Sequence, residues 1–267
     1  MHKRIDKTRT NTYTLSMNFE LPLATALELV PRSLDLLLQE SKDNMSTFSW
    51  ISSLNIPEIK SVPLKSFEAT EYLLKNGVKQ VTPHFRMIDR TFSELMDLIG
   101  KLVDLGLERV LLIGGDAPND PEFQPSGLTT VAAIREVRRQ YPNLKIYAGI
   151  DQYRQSFREE LDYAFRKRDA GCDGFYTQPF FSVGMLELWL EQLADSELWA
   201  GIAPVISEKS RLYWVRTNKT VFPPNYQFTM EYNTFIARKL LNAISRADQR
   251  AYLMPVRVDA KEYIAGL

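Results

Sequence analysis

The stretch from Thr91 to Asp116 most constrains what this 267-residue chain can fold into. From Phe92, the apolar residues Leu95, Met96, Ile99, Leu102 and Val103 recur at helical spacing, Thr91 and Glu94 are placed for a capping box, and Gly106 supplies a C-terminal stop. The run Arg109-Val-Leu-Leu-Ile-Gly-Gly-Asp116 follows at once. It is short, apolar and without alternation, as expected of a strand covered on both faces in a parallel sheet. A helix feeding directly into such a strand is one repeat of an α/β fold.

The unit recurs along the chain. Strand-like segments lie near Thr25–Val30, Phe48–Leu54, Gln80–Phe85, Val110–Ile113, Lys145–Ile150, Gly174–Thr177, Ala200–Val205 and Ala251–Val256. Between them, Leu64–Asn76, Leu128–Gln140, Phe157–Arg168, Val183–Ala194 and Phe228–Ser245 carry helical periodicity. Alternation of this kind implies parallel strands with right-handed crossovers, and eight units of about 33 residues suggest closure. The expected fold is α/β, a single (βα)8 TIM barrel over residues 12–267, preceded by a basic arm at 1–11 that carries His2, Lys3, Arg4, Lys7 and Arg9. An open doubly wound sheet is the competitor. Against it, no strand is followed by Gly-x-Gly-x-x-Gly and no loop reads Gly-Lys-Ser/Thr.

Composition narrows the function classes. Lys plus Arg and Asp plus Glu both number 33, so no uniform basic field draws a nucleic acid or an anionic membrane. A single cysteine, Cys172, leaves no intramolecular disulfide to form, which favours a reducing, cytoplasmic setting. The opening residues lack the apolar stretch of a secretory signal, and no apolar run approaches the roughly 20 residues of a membrane span.

In such a barrel the chemistry projects from the C-terminal ends of the strands. Polar residues at those positions are Glu28, Asn55, His84, Arg86, Asp116, Tyr147, Asp151 and Gln178. Glu28 interrupts an apolar strand, and a desolvated carboxylate there gains the raised pKa of a general acid; the plainer reading is a salt bridge to an arginine such as Arg32. Glu20, which also follows an aromatic and precedes a proline closely, rivals it. Asp116 ends a strand after two glycines, either presenting its carboxylate to a ligand or capping a turn. His84 is the only histidine beyond the arm, so a His-rich metal site is excluded; the residue is equally suited to hydrogen-bonding a ligand or to a structural role. Cys172, in a helix-to-strand turn, falls at the far end of the barrel and reads as packing.

In order, these segments resemble the methylenetetrahydrofolate reductase family, whose (βα)8 barrel usually carries FAD. Glu28-Leu-Val-Pro-Arg32 is similar to the family's Glu-x-x-Pro-Pro, Pro83-His84-Phe85 to its Pro-His-Leu, and Gly115-Asp116-Ala117-Pro118 to its Arg-Gly-Asp-x-Pro segment. Asp169-Ala170-Gly171 followed by Thr177-Gln178-Pro179-Phe180-Phe181, and then Gly201-Ile202-Ala203-Pro204-Val205, resemble two further family segments. The resemblance implies hydride transfer from reduced flavin to 5,10-methylenetetrahydrofolate, giving 5-methyltetrahydrofolate, with NAD(P)H as electron donor. It implies Glu28 as the acid that protonates the leaving nitrogen and Asp116 as the carboxylate that contacts folate and tunes the flavin. Gln178, Phe228, Asn55 and Arg86 become substrate contacts, and His84, Tyr147, Glu160 and Lys167 flavin contacts, with glutamate at 160 where aspartate is usual. Partners implied are a small-molecule folate, a second copy of the chain, and a methyltransferase or reductase.

The chain also departs from the pattern. The arginine before Gly-Asp is Gly114, a flavin-contacting histidine is replaced by Asp151, and the second-strand Thr-Tyr-Gly reads Ser53-Leu54-Asn55-Ile56-Pro57. Phosphate sites depend on cationic and neutral donors, and Arg86, Lys65 and Lys60 are the cations left to replace those lost. A non-redox protein that holds methyltetrahydrofolate for a partner methyltransferase is therefore the alternative expectation. An unrelated barrel aldolase would want a Schiff-base lysine or a metal cluster, and neither is evident.

Overall fold

The computed structural model describes residues 19–117 and 122–267; the basic arm and Pro118 of the Gly-Asp-x-Pro segment lie outside them. Eight parallel strands close into a barrel in sequence order. They are β1 (Thr25–Glu28), β2 (Ser53–Ile56), β3 (Val81–Arg86), β4 (Arg109–Ile113), β5 (Lys145–Ile150), β6 (Gly174–Pro179), β7 (Glu197–Ile202) and β8 (Arg250–Leu253). The connecting helices are α1 (Leu34–Thr47), α2 (Ser66–Lys75), α3 (Phe92–Asp104), α4 (Thr130–Gln140), α5 (Phe157–Asp169), α6 (Val183–Gln192), α7 (Glu208–Thr217) and α8 (Met230–Arg246), with a short α9 (Ala260–Ala265) after the last strand. The expected TIM barrel is thus the observed one.

Several elements begin from the local signals that predict them. At α3 the Thr91 side chain accepts from Glu94 N while Glu94 returns a bond to Thr91 N, and Gly106 follows the C-cap with φ +90. Ser156 and Glu159 form the same box at α5. Two strands start away from expectation, and β8 ends at Leu253, three residues before the expected Val256. β2 starts five residues later than predicted, because Phe48 and Ile51 are buried as a plug in the α1–β2 turn rather than in the sheet. β7 starts three residues earlier, with Glu197 as its first residue. Helix α1 escapes apolar periodicity because its buried face includes Ser41 and Asn44, whose side chains bond back to Leu37 O and Glu40 O.

The period of two along each strand sorts side chains into two cores. Outward residues such as Leu27, Leu54, Phe85, Leu112, Ile146 and Leu253 pack beneath the helices. Inward residues fill the barrel with an aromatic layer: Tyr176 stacks on Trp199 at 5.1 Å, and Tyr147 and Tyr252 meet Tyr176 edge-on at 5.3 and 5.1 Å. Close packing leaves no room for a side chain at some positions; a Cβ on Gly201 would lie 2.6 Å from Met254 Cε and 2.8 Å from Gln178 O. The filled interior is a floor. Within the barrel, space for a ligand opens above it, at the strand C-termini.

Candidate active site

A cleft of about 580 Å³ opens there, within the usual range for small-molecule sites. Glu28 from β1, His84 from β3 and Tyr252 from β8 line its base, and Asp116, Arg154 and Lys167 line the side nearest β4 and β5.

Glu28 is the last residue of β1, so the strand's alternation turns it inward, next to the aromatic layer. Burial pushes its carboxyl up to about 7, only partly opposed by the hydrogen bond from the Tyr252 hydroxyl to Oε2. The partner is a neutral phenol, not the arginine of the plainer reading. Glu20 lies on the segment leading into β1, therefore at the opposite end of the barrel, with an exposed carboxylate 3.7 Å from Arg246. Only Glu28 of the two carboxylates lines the cleft.

His84 is buried, and loss of solvation pushes its imidazole down to about 3. Asn55 Nδ2 lies 3.1 Å from its Nε2. An amide nitrogen only donates, so Nε2 is the acceptor and the ring is neutral with its proton on Nδ1. His84 thus enters the cleft as a neutral polar group.

On the other wall, Lys167 of α5 is almost fully buried. Its Nζ donates to Gly149 O at 2.6 Å, lies 4.0 Å from the centre of the Tyr163 ring and stands 3.8 Å from Glu160 Oε1. Desolvation lowers the Lys167 ammonium to about 8 and raises the Glu160 carboxyl, so burial outweighs the attraction between them. Glu160 also accepts from Asp151 N at 3.1 Å and Gln155 Nε2 at 2.8 Å, which ties the β5–α5 loop to the helix. Asp151 is likewise raised by burial.

Asp116 sits on the rim with its side chain largely exposed and paired with Arg154. Arg86 braces this loop, donating to Asp116 O at 2.7 Å and to Asp89 at 2.6 Å. Gly115, with φ +80, has no space for a Cβ, which would lie 2.9 Å from Ile88 Cγ2. Gln178 reaches the cleft from a register shift between β6 and β7, its backbone oxygen held by Gln152 Nε2 at 2.7 Å.

Three expected contacts are placed elsewhere. Tyr147 is the third residue of β5, so it lies low in the barrel, its hydroxyl donating to Glu197 Oε1 at 2.8 Å. Asn55 is wholly buried, faces inward against His84, and is not among the residues that line the cleft. Phe228 packs against Phe222 and Tyr226 at 5.4 and 5.3 Å, among an aromatic group that includes Tyr232, and does not line the cleft. Lys60 and Lys65 line a separate cavity beside Phe123 and Leu98. Of the expected cations Arg86 does line the cleft, where Arg154 and Arg166 join it and Lys167. Cys172 is buried beyond α5 at the opposite end, its thiol pushed up to about 12, which makes it inert.

Residues 61–231 match the family model for methylenetetrahydrofolate reductase, well over half of the chain. The chain belongs to the methylenetetrahydrofolate reductase family. Its folate-related character and the barrel that supports it follow from that membership. Glu28 and Tyr252 lie outside the matched residues, so their assignment rests on the geometry above. Solved structures of similar shape include an oxaloacetate acetylhydrolase in complex with the product oxalate, 10% identical with a TM-score of 0.60, covering 91% of this chain and 78% of that one. A 2,3-dimethylmalate lyase of the PEP mutase/isocitrate lyase superfamily is 12% identical with a TM-score of 0.56, covering 87% and 75%. At such identity these likenesses establish the barrel alone. Among the described residues no helix is long and apolar enough to cross a membrane.

Proposed function

We propose that this family member reduces 5,10-methylenetetrahydrofolate to 5-methyltetrahydrofolate, with NAD(P)H as electron donor. The observation that carries the reading is Glu28, a carboxyl held near neutrality at the base of a cleft of substrate size. Opening the folate's five-membered ring requires a proton on the departing nitrogen, and a group with a pKa near 7 is both protonated often enough and acidic enough to deliver it. Gln178 supplies an amide for the pterin edge, and Asp116 a carboxylate at the rim. The neutral imidazole of His84 adds a polar contact without a charge that would compete with Glu28.

FAD, when bound, supplies the hydride. Lys167 fits the phosphate end of such a group, because it is a buried cation that burial disfavours and that has beside it a carbonyl, a ring and one carboxylate, Glu160 at 3.8 Å; an added anion would further favour its charged form. Arg154 and Arg166 extend the cationic wall that the loss of arginine at position 114 leaves short.

The non-redox alternative keeps one supporting observation: Asp116, Asp151 and Glu160 all line the same wall and would oppose a diphosphate. The visible spectrum of the purified protein, followed by NAD(P)H oxidation with and without 5,10-methylenetetrahydrofolate, separates the two. A flavin spectrum with folate-dependent oxidation supports the reductase. A colourless protein that gains no colour with added FAD, yet binds methyltetrahydrofolate, overturns it in favour of the carrier.

A further inference from the structure

Glu28 is hydrogen-bonded at one carboxyl oxygen. Asn55, its register neighbour on β2, holds His84 Nε2 at 3.1 Å. Tyr252 gives its single hydroxyl proton to Glu28 Oε2. The other carboxyl oxygen, Oε1, has no protein partner among the described residues, and Glu28 keeps partial exposure into the cleft. The Tyr252 ring is itself immobilised, edge-on to Tyr176 at 5.1 Å and to His84 at 6.4 Å. No charged side chain is paired with Glu28 among the described residues; the titratable groups packed around it are Tyr252 from β8 and, behind that ring, His84 from β3 and Tyr176 from β6.

We propose that Tyr252 is a positioning residue that determines which oxygen of Glu28 carries the proton: its hydroxyl occupies Oε2, so the acid presents its proton on Oε1, toward the cleft. Two consequences follow. The neutral acid has one orientation instead of two, so the proton is already aimed when substrate arrives. The same hydrogen bond strengthens when the carboxyl ionises, because a charged acceptor binds a donor more tightly, so Tyr252 also keeps the desolvated acid from becoming too weak to give its proton up. The kinetic consequences rest on the reductase reading above; the geometry of the acid does not.

The test is infrared difference spectroscopy of the Glu28 carboxyl, taken as each protein minus its Glu28→Gln counterpart and followed from about pH 5 to 9, on the wild type and on Tyr252→Phe. Phenylalanine preserves the ring and its packing and removes only the hydroxyl. In Tyr252→Phe the carboxyl is expected to titrate about one pH unit higher, as loss of one hydrogen bond to a charged group implies, with its carbonyl stretch at higher wavenumber. The alkaline limb of kcat should move by the same amount while KM changes little. An unmoved titration overturns the proposal whatever the reaction is. A moved titration in a protein that turns over no folate upholds the proposal and sinks the reductase reading instead. Should Tyr252→Phe fail to fold, the wild type alone decides: one carbonyl band at the wavenumber of a hydrogen-bonded carboxyl supports the proposal, and two bands, or one at the wavenumber of a free carboxyl, overturn it.

Discussion

At the scale of single residues, the site depends on how the barrel solvates a few groups. Glu28, His84 and Lys167 are ordinary ionisable side chains whose behaviour is changed by burial: the first is pushed up to about 7, the second down to about 3 and the third down to about 8. All three shifts disfavour charge: at neutral pH His84 is uncharged, Glu28 is close to half protonated, and Lys167 keeps its proton less firmly than a free lysine. Glu28→Gln keeps the shape and removes the proton, so folate binding should stay nearly intact while kcat falls by about 10²–10⁴-fold, as steady-state kinetics beside direct binding would report. The sign of the pH dependence follows from the direction of the shift. As the proposed acid, Glu28 acts in its protonated form, so kcat should decline as pH rises through about 7, and a profile that instead rises through this range would remove Glu28 from the acid's role.

At the scale of elements, loops do most of the placing. The β4–α4 loop is bent by Gly115 and held by Arg86, the β5–α5 loop is tied down by Glu160, and the shift after Tyr176 turns Gln178 upward. The helices behind them are started by side-chain caps, and their contribution is measurable. Thr91→Ala removes the acceptor for Glu94 N and should cost about 1 kcal/mol in urea denaturation with an unchanged m-value. Element boundaries mark where sequence pattern stops being informative. α3 was legible because every turn of it repeats the same apolar stripe, whereas α1 buries Ser41 and Asn44 and so hides its period. Tyr147 shows the same limit in a strand: the residue type suits a ligand contact, but its place three residues into β5 puts it against Glu197 at the far end.

At the scale of the whole molecule, closure of eight strands converts positions scattered from 28 to 252 into one cleft. A ligand bound there bridges β1, β3, β5 and β8 and is lost on unfolding. Saturating reduced folate, at about 100 times its Kd, should therefore raise the unfolding free energy by about 2.7 kcal/mol, visible as a higher melting temperature; an unchanged melt would mean that the folded chain does not bind folate. Periodicity, cap chemistry and strand count by themselves determined the barrel, because each is a local property of the chain and all of them agree. They also marked Glu28, since a carboxylate within an apolar strand is conspicuous in one dimension. What only the tertiary structure decided is the company each group keeps. Tyr252 read as one more apolar strand residue until closure set β8 beside β1 and its hydroxyl against Glu28. Arg154 and Arg166 joined Arg86 and Lys167 in the cleft, while Lys60 and Lys65 did not, because helix rotation and loop path decide which cavity a long side chain reaches. Hydrogen bonds and desolvation are short-ranged, so they follow from distance in space, which strand pairing over more than two hundred residues creates and sequence separation does not reveal.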